Sequence, residues 1–364
     1  MTPTAAELLS ELIRSGASDL HVRAGEPPTL RIDGQLRRFG SPEIDAKDAE
    51  ELVLSIMTLR QRERFLEGED VDFALEPEPG LRFRANAFHF RGRAGVVLRR
   101  VLASPIPLDR LGLPDVLATI ALRRHGLTIV AGQTGSGKTT TLAAMAEQFN
   151  AHVAGHILTI EDPIEILIPS RRAVVTQREV SGDVESFAGA LRSAMRQDPD
   201  VIVVGELRDE ESVRAALVAA ETGHHVITTL HTTDAVSTIF RIIDLFPPDE
   251  QKQVRLTLAA VLNAVVCQRL VARADQVGRV VATEIAVNTG LLAEAIADPA
   301  KTDTIRDIVA AGSYHGMHTF HQDLVRLLES GEIPWSEARL AATDAHDLEV
   351  DVRRAGLVHI TMVS

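Results

Sequence analysis

Gly132-Gln133-Thr134-Gly135-Ser136-Gly137-Lys138-Thr139 fits the pattern G-x-x-x-x-G-K-[ST] completely, the spacing of a loop that wraps phosphate. Glycines let a backbone bend until successive N–H groups point inward at an anion. A helix opening near Lys138 adds the positive end of its dipole. Lys138 is placed to contact β- and γ-phosphates, and the Thr139 hydroxyl to ligate Mg²⁺, with Thr140 next to it in the same first turn. An apolar stretch, Leu127 to Ala131, precedes the loop, and an amphipathic helical pattern, Thr139 to Phe149, follows it. The implied ligand is a nucleotide with Mg²⁺.

Hydrolysis needs in addition a group that orients water, and in an open parallel sheet ligands sit at the carboxyl ends of the strands. His156 to Ile160 runs into Glu161-Asp162-Pro163-Ile164-Glu165, Val201 to Val204 into Gly205-Glu206, and Val226 to Leu230 into His231. Four carboxylates and one imidazole thus project from the edge that carries the phosphate loop. Glu206 is the leading candidate for orienting and deprotonating the attacking water. Glu161 and Glu165 could hold Mg²⁺ through water, assist the attacking water, or form a loop of solvated acids. His231 could contact the γ-phosphate, report its presence, or be a surface histidine. Asp162 suits the turn before Pro163. Asp198 and Asp200 begin the middle strand, about 20 Å from its far end, and read as turn residues. His224 and His225 begin the last strand, far from a nucleotide in the same subunit.

The elements that must hold these residues alternate from Gly126 onward. Between the apolar runs lie helical patterns at Thr139 to Phe149, Ser186 to Arg196 and Glu210 to Thr222. Such alternation predicts an α/β domain with a mostly parallel sheet covered on both faces. After Asn288 the pattern is mainly helical, at Leu291 to Ile296, Thr304 to Ala310 and Thr319 to Leu328. The first hundred residues read as a smaller α+β domain. Its helices are Glu7 to Arg14 and Ala49 to Phe65. Its strands are Asp19 to Arg23, Thr29 to Ile32, Val71 to Leu75, Leu81 to Phe90 and Gly95 to Val101, with a hairpin signal at Asp33-Gly34. Ser104-Pro105-Ile106-Pro107, with Gly112 and Pro114 behind, is the linker candidate. The expected organisation is a domain at 1–103, a linker at 104–115 and a second domain at 116–364.

Composition narrows the classes. The 364 residues are 45% hydrophobic and 24% charged, which excludes a mainly disordered chain. A net charge of −13 disfavours broad electrostatic capture of nucleic acid. A single cysteine, Cys267, excludes an intramolecular disulfide and a Cys-rich zinc module, and reads as a small buried apolar residue. Met1 to Ser18 carries Glu7, Glu11 and Arg14, unlike a signal peptide, and no stretch approaches the ~18 apolar residues of a spanning helix. A soluble cytoplasmic protein is expected.

Four motifs in this order, GQTGSGKT, TIEDPIE, RQDPDVIVVGELRD and TGHHVITTLHTTDA, resemble the secretion-type ATPases that drive type II secretion and type IV pili. GASDLHVRAGEPPTLRIDGQLRR, IDLFPPDEQ and GMHTFHQDLVRLLESGEI extend the resemblance over nearly the whole chain, towards the pilus retraction (twitching motility, PilT-like) ATPases. The resemblance implies ATP as the nucleotide, a PAS-like N-terminal domain and a RecA-like ATPase domain. It also implies a homo-hexamer with ATP between subunits, peripheral at the inner face of the cytoplasmic membrane. Its partners would be an inner-membrane pilus platform protein and a paralogous retraction ATPase, with no nucleic acid. On this resemblance Glu206 matches the catalytic glutamate, Glu161 and Glu165 the acidic box, and His231 the last histidine of the histidine box. Arg84 and Arg99, in FRANAF and VLRRV, match segments that supply arginines to the γ-phosphate. Arg192 and Arg196 match further family arginines. A guanidinium fork suits charge developing on a transferred phosphoryl group, although a solvated basic strand would look the same. Thr304-Ile305-Arg306-Asp307-Ile308 stands where the retraction family has Ala-Ile-Arg-Asn-Leu. FHQDL and DAHDL look like the accessory PilU-like paralogue, so principal and accessory motor are both open. The short N-terminus disfavours a secretion or pilus-assembly ATPase, and the acidic balance a nucleic-acid translocase.

Overall fold

Thr4 begins the first helix by accepting a hydrogen bond from the Glu7 N–H, while the Glu7 carboxylate takes the Thr4 N–H, so two donors at the helix start are satisfied reciprocally. This helix, α1 (Ala5–Arg14), buries Leu8, Leu9 and Leu12. The computed structural model describes residues 3–32, 34–39, 42–180 and 182–357. It divides into two compact units, Met1–Ser104 and Pro105–Ser364.

In the first unit β1 (Asp19–Arg23), β2 (Thr29–Ile32) and β3 (Gln35–Arg38) precede α2 (Ala46–Ser55) and α3 (Leu59–Leu66). β4 (Val71–Glu78), β5 (Leu81–Phe90) and β6 (Arg93–Arg100) follow. The six strands form one antiparallel sheet in the order β3-β2-β1-β6-β5-β4. Alternate residues such as Leu20, Val22, Phe83, Ala85, Val96 and Leu98 enter a core with the three helices. β2 and β3 pair with Ile32 opposite Gln35; of the expected Asp33-Gly34 turn, Asp33 lies outside the described residues. The single helix expected over 49–65 is two. Thr58 and Gln61 form a capping box that starts α3 and so ends the earlier helix at Ser55.

In the second unit α4 (Val116–Ala121) leads to β7 (Gly126–Ala131), α5 (Lys138–His152), β8 (His156–Glu161) and β9 (Val174–Glu179). Next come α6 (Phe187–Ala194), β10 (Val201–Val204), α7 (Glu210–Glu221), β11 (His225–Leu230), α8 (Ala235–Asp244) and α9 (Gln251–Val261). β12 (Leu262–Ala272) and β13 (Arg279–Val287) complete the sheet. The helical tail holds α10 (Gly290–Ala297), α11 (Ile305–Ala311), α12 (Phe320–Glu329), α13 (Trp335–Ala341) and α14 (Ala345–Arg354). The seven strands run β13-β12-β7-β11-β10-β8-β9, all neighbours parallel except β12 with β13. This is the expected α/β class, with a smaller antiparallel unit before it. Leu127, Ile129, Ile202, Val204 and Val226 pack towards α6, α7 and α8, whereas Val130, Val201, Val203 and Ile227 pack towards α4 and α5, so helices cover both faces.

Three strands of the second unit, β9, β12 and β13, stand outside the elements read from sequence. α9 passes into β12 at Val261-Leu262 with no turn residue between, so the apolar run looks like more helix. β9 and β13 sit at the sheet edges, away from the strand-turn-helix rhythm. The helix after the phosphate loop, expected as amphipathic, is buried around most of its surface because α4 and the turn at Leu108–Arg110 cover its outer side. Cys267 is fully buried on β12, and burial pushes its thiol well above its ordinary pKa. Among the described residues no helix is long and apolar enough to cross a membrane.

His225, at the start of β11, is buried with Nε2 2.9 Å from the Thr128 hydroxyl oxygen. Burial, with smaller contributions from the charges of Arg123 and His125, lowers its pKa to about 4. The unfolded chain therefore binds this proton first, so stability falls as pH drops from about 6.5 to about 4, by up to about 3 kcal/mol. Urea midpoints at about pH 7 and about pH 4.5 should show the wild type losing more stability than His225→Gln. Equal losses would reject the assignment.

Candidate functional site

The phosphate loop hangs between a buried strand and a buried helix start. The Gly132 N–H donates to Leu230 O at 3.2 Å, which ties the loop to β11, and Gly137 enters α5 with φ +92°. A Cβ on Gly132 would lie 2.5 Å from Ser136 Oγ and 2.6 Å from Gln268 O, so no other residue fits there. Ser136 Oγ is buried without a hydrogen-bond partner. The Lys138 ammonium donates to Gly132 O at 2.8 Å and Gln133 O at 3.1 Å. Burial lowers the Lys138 pKa and the Glu206 charge works against that shift.

The loop faces a cleft of about 500 Å³ in which the structure brings together Thr134, Gly135, Gly137, Lys138, Thr139, Thr140, Glu161, Glu165, Glu206 and His231. Gly132, Gln133 and Ser136 line a second cleft of about 530 Å³ on the loop's other side, with Gln268, Arg269 and Thr233. Glu206 follows β10 and Gly205. The Gly205 N–H donates to Ile160 O and its carbonyl accepts from the Thr229 hydroxyl, so the neighbouring strands fix the turn that aims Glu206. Glu206 Oε2 lies 3.0 Å from His231 Nε2, and His231 Nδ1 lies 3.5 Å from Lys138 Nζ. An ammonium has no acceptor, so Nδ1 accepts and Nε2 carries the proton that His231 donates to Glu206. The other Glu206 oxygen accepts from Arg208 Nε, and Arg208 also lies 3.7 Å from Asp162.

Glu161 is set differently. Its Oε1 accepts from the Thr159 hydroxyl at 2.7 Å and from Gln177 Nε2 at 2.9 Å. Burial raises its pKa and the charge of Glu165 adds to that, against the two hydrogen bonds. Gln177 also donates to Ile166 O and accepts from the Ile168 N–H, which knits the acidic loop to β9. Neither Gln177 nor Arg208 was singled out from sequence. Only the pairing of β8 with β9, and the turn after β10, brings them to the site.

The remaining candidates lie elsewhere. Arg192, on α6, pairs with Glu211 at 2.8 Å, and Arg196 donates to Arg192 O; neither lines the cleft. Arg84 and Arg99 are direct cross-strand partners on β5 and β6 of the first unit. Arg99 donates to Asp19 Oδ1 at 2.7 Å. Burial alone would raise the Asp19 pKa, but hydrogen bonds from Arg99 and Ser18 outweigh it and the net shift is downward. Asp200 accepts the His156 N–H and bonds the start of β11, so it closes the opposite edge of the sheet. His224 and His225 stand at that same edge.

The donor set suits a polyphosphate and a hard cation. The Gly132 cradle, the inward ammonium and the unpartnered Ser136 hydroxyl fit phosphate oxygens. Among the described residues no group of three or more His, Cys, Asp or Glu could hold a metal by itself. The oxygen donors that do line the cleft, the Thr139 hydroxyl and the Glu161 and Glu165 carboxylates, are of the type a hard cation such as Mg²⁺ takes.

Comparison with known proteins gives a consistent picture. The family described as type II/IV secretion system protein matches residues 1–340. The type IV pilus retractation ATPase PilT of Pseudomonas aeruginosa is 43% identical over 333 residues, 92% of this chain and 96% of that protein. The type IV pilus ATPase PilU of the same organism is 38% identical over 347 residues, 95% and 91% of the two chains. A crystal structure of the pilus retraction motor PilT with bound ADP superposes with a TM-score of 0.88 at 40% identity, covering 96% of this chain and 100% of that one.

Proposed function

This chain belongs to the type II/IV secretion system protein family, and from that premise we propose that it is an ATP-hydrolysing ring motor that powers retraction of a type IV pilus. The observation that carries the reading is the meeting, in one cleft, of the phosphate-loop residues Thr134, Gly135, Gly137 and Thr139 with the Lys138–His231–Glu206 chain. In this reading the inward N–H groups of the loop, Lys138 and the α5 dipole bind the phosphates. Thr139 would hold Mg²⁺, helped through water by Glu165 or Glu161, and Mg²⁺ supplies positive charge against the phosphate oxygens. Glu206 takes the proton of the attacking water. His231 and Arg208 fix its carboxylate in place.

Six copies form the ring, and Arg84 and Arg99 of the N-terminal unit face the γ-phosphate of a shared site. Residues 104–115 act as the hinge between a domain at 1–103 and one at 116–364. The ring works in the cytoplasm against an inner-membrane platform protein. FHQDL opens α12 and DAHDL opens α14, the features that favour an accessory role beside a paralogous motor as the second reading.

ATP turnover of the purified protein across a concentration series is the test. Turnover per subunit should rise with assembly. Lys138→Ala should weaken equilibrium ATP binding by about 10- to 100-fold, the cost of a lost charge-assisted bond. Turnover that ignores both would sink the reading, and ATP binding without turnover would favour the accessory one. In cells, loss of the gene should leave pili that assemble but do not retract.

A further inference from the structure

The side chain of Gln268 on β12 touches the phosphate loop from behind. Its Nε2 donates to Ser136 O at 2.7 Å, and its Oε1 accepts from the Thr141 hydroxyl at 2.9 Å. A carbonyl can only accept, so the Ser136 contact decides which end of the amide faces the loop. The side chain is buried, and a Cβ on Gly137 would lie 3.1 Å from Gln268 Nε2, so the amide sits directly beneath the Ser136–Gly137 peptide.

That peptide is planar and trans, so its C=O and its N–H point in opposite directions. A C=O drawn outward to Gln268 therefore turns the Gly137 N–H inward, the direction an anion needs. Gly137 tolerates either peptide orientation, because glycine lacks the Cβ that would forbid one of them. Nothing in the covalent structure chooses between them.

We infer that Gln268 is a positioning residue for nucleotide binding: it holds the Ser136–Gly137 peptide in the orientation that presents the Gly137 N–H to phosphate. This rests on the ATPase reading above. Thr141, one turn into α5, locks the amide so that it cannot rotate and offer its oxygen instead.

Equilibrium binding of ADP with Mg²⁺ to the full-length protein tests this. Gln268→Met keeps the length and loses the donor, and should weaken binding about tenfold or more. Gln268→Glu is the discriminating variant. Its ionised carboxylate repels Ser136 O, whereas its protonated form donates to it as the amide does. Burial raises such a carboxyl, so its affinity relative to wild type should recover as pH falls from about 8 to about 5.5. A merely structural role would instead lower the melting temperature in step with the affinity, whereas a lost peptide orientation lowers affinity at an unchanged melting temperature. Binding by Gln268→Met within about twofold of wild type, while Lys138→Ala binds weakly, would overturn the inference. So would a flat pH ratio in Gln268→Glu, which decides the matter even if the Met variant fails to fold. Loss of all nucleotide binding by the wild type would instead strike the ATPase reading itself.

Discussion

Glu206→Gln is expected to lower ATP turnover by about 10²–10⁴-fold, the usual contribution of a positioned general base, while ATP still binds. The amide has the shape of the carboxylate, so the packing around Gly205 and Thr229 is kept. What is lost is a group able to take a proton. Glu206 is suited to that work because two donors, His231 Nε2 and Arg208 Nε, stiffen it from either side while the cleft still reaches it. A His231→Asn variant should fall less, since it removes an orienting partner and leaves the base. Turnover and ADP affinity measured side by side check this. A Glu206→Gln protein that turns over within tenfold of wild type would move the base to another acid of the cleft, with Glu165 of the acidic box the next to substitute.

Chain order alone reaches the residues that end strands in the cleft. A parallel sheet delivers every strand end to one edge, and the residues following β8, β10 and β11 are therefore neighbours however long the intervening helices. Glu161, Glu206 and His231 were legible for that reason, and Lys138 from the spacing of the phosphate loop. Gln177 and Gln268 were not. Gln177 lies on the edge strand β9 and Gln268 on β12, which continues straight out of α9, and a glutamine on a strand has no sequence signature that separates it from a solvated one. The break in the helix expected over 49–65 was written in the sequence: Thr58 and Gln61 have the T-x-x-Q spacing of a capping box, and the helical pattern running on to Phe65 masks it. His225 shows the reverse. It stands beside His224 in the histidine box, yet burial against Thr128 gives it a stability role at the far edge.

Arg84→Ala should reduce turnover in the assembled ring by about 10³–10⁵-fold, the range for an arginine that meets charge on a transferred phosphoryl group. Arg84→Lys should recover little of it, because an ammonium cannot match the fork. Arg99 needs a second readout. Its guanidinium holds the buried Asp19 carboxylate, with Arg31 at 3.7 Å as the remaining cationic partner, so Arg99→Ala should also lower the melting temperature of the protein. Arg84, its cross-strand neighbour, needs the same melting measurement beside its turnover, so that chemistry and stability are read separately at both positions. If each site takes its arginine from one subunit and its base from another, mixed rings of Arg84→Ala and Glu206→Gln subunits contain some sites with both groups intact. Co-assembly of the two dead variants should then restore measurable turnover, whereas either variant alone stays inactive. If all groups of a site came from one chain, every subunit in the mixture would lack either its arginine or its base. Mixing would restore nothing, and the shared-site ring would fall with it.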